Sequence, residues 1–385
     1  MKSFIRSGLA AAAVLAGAVG FAGTAGASPW SWNGGPPHSF SGGNHAVFVQ
    51  TDNTSGNQVV AYERASNGTL TLAGSYATEG LGGALTGSVV DHLASEGSLV
   101  FNQNDDALYA VNAGSNTVSV FSVNGTHLFL RQVVGSGGTF PVSIAVHGNL
   151  VYVLNAENGG SVQGFYAGNG RLFPLPGSAR ALNLDPTATP QFTNTPGQVA
   201  FSPDGSKLIV TTKANGSDID VFRVGFFGYL SSSPVVNAEP NTVPFGITFD
   251  NQGRLVVSEA ETNALATFAL GWNGTLTAID TVPTGQTATC WVTSAQGYLY
   301  ASNAGSGSES GYRESFNGQL DLLGATPTDP GTVDAAASPD GRYLYVQTGG
   351  NGIVDEFAVL PTGQLSQVGS VTVAGAQAGE GIAVS

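Results

Sequence analysis

Residues 298–320 read "YLYASNAGSGSESGYRESFNGQL". Tyr300 sits in a short apolar run, Tyr312 follows twelve residues later, and Leu320 comes eight further on, behind an Asn-Gly turn. Two aromatic-bearing runs joined by small polar residues, then Asn-Gly, predict consecutive hairpin strands, because Asn-Gly supplies the positive φ angles of a tight turn.

The same phrase recurs along the chain. Phe48, Tyr109, Tyr152, Ile209, Val256, Tyr300 and Tyr345 take the first position. Tyr62, Phe121, Phe165, Phe222, Phe268, Tyr312 and Phe357 take the second. Leu70, Leu128, Leu172, Leu230, Leu276, Leu320 and Leu365 take the third, and five of the seven turns before them contain Asn-Gly. Seven units of about four short strands each predict an all-β, seven-bladed β-propeller with four-stranded antiparallel blades, since a lone unit cannot bury both faces of its sheet. Six units open with an extra strand, such as "GSLVF" (97–101) or "CWVTS" (290–294), but the unit at "HAVFVQ" (45–50) has none before it. The chain ends "GEGIAVS", so residues 381–385 are expected to join the first blade and clasp the ring. Two connections, 78–97 and 177–196, are long for a compact repeat and are expected to serve function.

The first 27 residues, "MKSFIRSGLAAAAVLAGAVGFAGTAGA", combine a basic front, an apolar stretch and a small-residue end. This pattern predicts a secretory signal peptide cleaved near Ala27 and a secreted protein. Residues 28–44 read as a flexible lead-in to a propeller spanning 45–385. Loss of Lys2 and Arg6 takes the formal charge from −14 to −16. Such acidity argues against nucleic acid and membrane partners and for a soluble monomer. Cys290 is the sole cysteine, so an internal disulfide is excluded, and a small buried side chain is the expected role.

Three residues beyond each first position the strand ends, at Thr51, Asn112, Asn155, Thr212, Glu259, Asn303 and Thr348. Glu259 is the one acid in this ring and is expected to face the central channel, with Glu261 facing water. The starts of the innermost strands align Ser98, Ser143, Gln198, Gly246, Cys290, Asp334 and Gly381, with Glu380 adjacent. Glu259, Asp334 and Glu380 are thus expected at one channel mouth, where converging polar groups define a site.

The units "FSPDGSKLIV" (201–210), "SPDGRYLYV" (338–346) and "YLYASNAGSG" (298–307), in register with the Asn-Gly turns, resemble the lactonase family of seven-bladed propellers. That family includes bacterial 6-phosphogluconolactonase and fungal carboxymuconate cyclase, and the resemblance spans roughly residues 45–385. It implies lactone chemistry, and an acid at the strand end, matched here by Glu259 within Ser258-Glu259-Ala260. It also implies a histidine and an arginine where this chain has Gly197 and Asp218. Lys213 is the nearest cation left, so phosphorylated and tricarboxylate substrates fit poorly.

Two readings follow. In the first, Glu259 acts as general base on a neutral lactone. Asn112, Asn155 or Asn303 would donate to the oxyanion, and Asp334 or Glu380 would raise a carboxyl pKa. In the second, a non-catalytic propeller holds a small ligand, sugar or protein partner, with the long loops and Trp291 at the channel entrance. No cofactor is required by either. Ca²⁺ would suit oxygen donors around the axis, although no Ca²⁺ loop or His-Glu-x-x-His pattern is present. Asp91-His92, in the first long loop, is a further candidate base pair.

Overall fold

The computed structural model describes residues 45–385, and the candidate signal peptide and lead-in lie outside the described residues. In the sixth unit, strands Thr289–Ala295, Tyr298–Asn303, Ser308–Glu314 and Leu320–Pro327 form one antiparallel sheet in chain order. Tyr300 lies on the second strand, Tyr312 on the third, and Leu320 opens the fourth. Six units follow this plan at Leu70, Leu128, Leu172, Leu276, Leu320 and Leu365. The fourth departs from it. Leu230 makes only an isolated bridge to Val224, and the outer strand waits until Val235–Ala238, after Pro234, which has no N–H to give the ladder. The third blade gains a two-residue strand, Arg180–Ala181, paired with its third strand.

Seven sheets close into a ring. The innermost strands touch in sequence from Leu99–Asn102 around to Thr332–Ala337, and Ile382–Val384 packs against both of those ends. Ile382–Val384 also pairs antiparallel with Val47–Val49, giving the first blade its fourth strand. The backbone N–H of Ser385 donates to Ala46 O at 2.9 Å and that of Gln50 to Gly381 O at 2.8 Å. The clasp expected from the terminal sequence is therefore present, and the described residues form a seven-bladed β-propeller.

The two features that recur in the sequence meet at the seams. The first-position tyrosines Tyr152, Tyr300 and Tyr345 are fully buried and face the following blade. There each hydroxyl donates to the carbonyl of a turn glycine: Gly228 at 2.8 Å, Gly363 at 2.9 Å and Gly68 at 2.8 Å. These glycines hold φ near +81°, +81° and +89°, which a side chain at that position would resist. A Tyr300→Phe variant should lose about 1–2 kcal/mol, because Gly363 O is left buried without that donor. Urea melts of the two proteins measure this difference, and equal midpoints would contradict it.

Candidate functional site

The first long connection folds over one end of the channel. Residues 90–97 reach the third, fourth, sixth and seventh blades and the segment before the last strand. Val90 lies against Gly331 and Gly349 of the seventh blade. The His92 N–H donates to Ala378 O at 2.8 Å, and Ser95 Oγ donates to Val142 O at 2.9 Å. Glu96 N–H meets Gly197 O at 3.2 Å, and Ser143 Oγ donates to Glu96 O at 2.6 Å. The Trp291 indole N–H donates to Ser95 O at 2.6 Å, and its ring packs on Phe245 at 5.2 Å. Trp291 thus stands beneath this cover, 4% exposed, as a support for it.

A buried group of acids lies under the cover. The innermost strands begin with register shifts at Pro141/Ser143, Pro244/Ile247, Thr289/Trp291 and Thr332/Ala335. A bulge frees the displaced residues from the ladder and re-aims them, and Asp334 is one of them. Asp334 Oδ2 accepts from Ile382 N–H at 3.1 Å, and Glu380 Oε1 accepts from Gly97 N–H at 2.9 Å and Ser98 N–H at 3.3 Å. Asp334 and Glu380 are close enough to shift each other's ionisation, so the structure brings these two together as the sequence suggested. It adds acids that sequence reasoning did not single out. Asp52 accepts from Glu380 N–H at 2.8 Å, Glu96 accepts from Val292 N–H at 3.2 Å, and Glu309 accepts from Ser302 Oγ at 2.8 Å. Burial lifts Asp52 and Glu309 to about 8 and Asp334 to about 7. Glu96 and Glu380 rise well above the carboxylate range from burial and from neighbouring acids.

Lys213 is the cation beside this group, and it is committed. Its ammonium donates to Ala94 O at 2.6 Å, Phe192 O at 2.6 Å and Thr195 Oγ1 at 3.1 Å, which uses all three N–H groups. Burial lowers it to about 7. The Asp91 carboxylate accepts from Leu93 N–H at 2.7 Å and Ser95 N–H at 2.9 Å, capping the loop backbone. Among the described residues the buried Nδ1 of His92 has no partner, so Asp91 and His92 do not form an oriented pair. Burial pushes the Cys290 thiol up to about 12, which keeps it protonated.

Glu259 lies elsewhere. Side chains alternate across a strand. Leu255 and Val257 pack with Ile209, Ile219 and Val221 of the fourth blade, so Glu259 shares that face. It therefore lies at the seam between the fourth and fifth blades, near Glu239, and apart from Asp334 and Glu380. Parity explains the difference from the expected channel position. An offset of three from the first position puts the ring residue on the opposite face of its sheet, toward the preceding blade. Asn112 follows the same rule and accepts from Asn57 Nδ2 of the first blade at 3.2 Å. Its own amide N–H groups go to Thr117 Oγ1 and Ser119 Oγ at 3.1 and 2.8 Å. Asn303 Nδ2 donates to Ser310 Oγ at 2.9 Å and Ser308 O at 3.1 Å, within its own blade. Asn155 lies against Gly138, its amide buried with neither end partnered among the described residues.

Glu259 is 4% exposed, and burial raises its pKa. Oε2 accepts from Thr262 Oγ1 at 2.8 Å. Among the described residues no donor hydrogen-bonds Oε1. Glu261 is exposed. No group of three or more His, Cys, Asp or Glu among the described residues is arranged to hold a metal ion.

The buried acids set the pH response of stability. In the folded chain they hold protons that the unfolded chain has released, so the unfolded state binds fewer protons and stability falls as pH rises. The window opens near the ordinary value of 3.8 and runs past 8, beyond which Asp52 is ionised in both states. Lys213 acts oppositely above about 7 and offsets one of these groups. The melting temperature at pH 5 should exceed that at pH 8 by several degrees. A melt that rises across this interval would contradict the assignment.

The fold is thus that of a seven-bladed propeller with a covered channel and a buried acid, Glu259, at a seam. The chain belongs to the family described as "Lactonase, 7-bladed beta-propeller", which matches residues 84–378. Among solved structures it is similar to the periplasmic gluconolactonase of Pseudomonas aeruginosa, with 18% identity over 88% of this chain and 98% of that chain, and a TM-score of 0.70. A protein from Lactobacillus plantarum gives 19% identity, 89% and 99% coverage, and a TM-score of 0.70. A candidate 6-phosphogluconolactonase of Bacteroides fragilis gives 18%, 90% and 99%, and 0.69. Identities this low speak for the fold alone. No curated protein matches the chain.

Proposed function

We propose that the protein, exported by its first 27 residues, hydrolyses an unphosphorylated lactone with Glu259 as general base. The observation that carries this reading is the state of Glu259. One oxygen is fixed by Thr262, no donor among the described residues engages the other, and burial raises the pKa toward the working range of a base. Glu259 takes a proton from water as the water oxygen bonds to the lactone carbonyl carbon. The ring C–O bond then breaks, and the departing alkoxide recovers the proton from Glu259.

The substrate class follows from charge. The Lys213 ammonium has no N–H left for an anion, and a phosphoryl group needs cations to hold it. In a pH-stat assay, neutral aldonolactones should release acid at least about tenfold faster than their phosphorylated counterparts, allowing for the one to three kcal/mol that a charged hydrogen bond contributes. Preference for the phosphorylated lactone would overturn the reading.

The cover over the channel favours a second reading, a propeller that binds without turnover. Residue 197, where the family resemblance implies a histidine, is Gly197, and its carbonyl carries the Glu96 N–H of the cover. A Cβ there would meet Phe245 O and Thr211 Oγ1 at 3.0 Å. Ligand binding with no acid release from any lactone would select this alternative.

A further inference from the structure

The end of the ring opposite Glu259 carries an array of bare aromatic rings. Each sits on the hairpin that joins the third and fourth strands of a blade. In the fourth, fifth and sixth blades this hairpin has one backbone geometry, closed by Gly225 N–H to Tyr229 O, Gly271 N–H to Thr275 O and Ser315 N–H to Gln319 O, all at 2.8 Å. The residue after the donor is Phe226, Trp272 and Phe316 in turn, and these are 97%, 90% and 87% exposed. The matching position is Ser66 in the first blade and Pro361 in the seventh. Three successive blades therefore present a large ring at one equivalent, solvent-facing point, and Phe226 stands edge-on to Phe227 with centroids 5.1 Å apart.

The last ring borders a cavity of about 270 Å³ between the fifth and sixth blades. Asn251, Gln252, Gln296, Tyr298 and Glu314 line it together with Phe316. Arg254 organises its wall. The guanidinium pairs with Asp250, lies 3.0 Å from Glu314 Oε1, and donates to Phe316 O at 2.7 Å, which pins the turn that presents the ring. Burial, with Asp250 alongside, lifts Glu314 to about 7, so this carboxyl keeps part of its proton near neutrality. One guanidinium faces two carboxyls, so the wall carries at most a partial negative charge and offers nothing to hold an anionic ligand. What the cavity offers is amide donors and acceptors beside an apolar ring face. A sugar ring meets both needs, stacking its C–H face on the aromatic ring and turning its hydroxyls to the amides.

We propose that this rim binds a neutral polysaccharide, with the cavity beside Phe316 seating one sugar and the Trp272 and Phe226 rings contacting the same chain on the neighbouring blades. Repetition of one contact on successive blades matches a ligand that is itself a repeat, and weak single-sugar contacts then add along it. The site is remote from Glu259 and does not depend on lactone hydrolysis.

Affinity electrophoresis through gels containing soluble β-glucan, mannan or arabinogalactan tests this directly, with alginate gels and phosphatidylglycerol vesicles as anionic comparisons. At least one neutral polysaccharide should retard the full chain. Trp272→Ala and Phe316→Ala should each weaken that retardation at least fivefold and the triple variant with Phe226→Ala at least fiftyfold, with melting temperature and any lactone hydrolysis unchanged. Absence of retardation by every neutral polysaccharide would overturn the proposal, as would equal retardation of the triple variant. Stronger binding to the anionic vesicles would overturn it in favour of a lipid surface. Dimers that the triple variant abolishes, without polysaccharide binding, would assign the rings to a second copy of the chain.

Discussion

Glu259→Gln should lower kcat on a neutral lactone by about 10²–10⁴-fold, the usual worth of a positioned general base, while the fold persists. Glutamine keeps the volume of the side chain, and its carbonyl oxygen can still accept from Thr262 Oγ1. The substitution removes a carboxylate that burial penalises, so the melting temperature should hold or rise slightly. Steady-state kinetics and a thermal melt on the same preparation separate loss of chemistry from loss of structure. Full activity in this variant would remove Glu259 from the mechanism. Asp334→Asn and Glu380→Gln should behave differently, because those carboxyls hold backbone N–H groups beneath the cover and their loss is felt first in stability.

Ending the chain at Gly381 should have the largest effect on folding. The deletion removes the strand Ile382–Val384 and its pairing with Val47–Val49. It takes away the buried Ile382, worth about 2–5 kcal/mol by analogy with core truncations. It also strips Asp334 of the Ile382 N–H, and one hydrogen bond is worth about 0.5–1.5 kcal/mol, more to a charged group. Together these approach the whole stability of an ordinary domain, about 5–15 kcal/mol. The innermost strands of the second and seventh blades would also lose the neighbour that lies between them. Calorimetry should show either no cooperative transition or one displaced by well over 10 °C, consistent with the few degrees expected per kcal/mol. A truncated chain melting within a few degrees of the full one would show that the clasp does not close the ring.

The fold was legible because its signal repeats. Tyr300, Tyr312 and Leu320 are weak evidence alone, but seven copies in register leave little else that could bury them, and the unpaired end "GEGIAVS" found its partner at Val47–Val49. The outer strand of the fourth blade was misplaced, since Leu230 preserves the spacing while Pro234 interrupts the ladder. At the site, the end of the ring on which Glu259 lies followed from the repeat, but its direction did not. The information was present in the spacing, since an odd offset reverses the face of a strand, and Val256 faces the sixth blade while Glu259 faces the fourth. The cover was legible only as a long connection. Its path over Asp334, Glu380 and Trp291 depends on single hydrogen bonds such as Trp291 to Ser95 O, which no periodicity encodes. Asp52, Glu96 and Glu309 carry no motif, and their only mark is that they are acids among small and apolar residues.

The pH dependence of kcat/KM for a neutral lactone is the most direct test of the central claim. A base must be ionised to act, and burial holds the Glu259 carboxyl above its ordinary value of 4.5. Activity should therefore rise with pH through one ionisation above 4.5, and Glu259→Gln should lose that limb altogether. An identical ascending limb in the variant, lowered or not, would place the base on another residue and contradict the account.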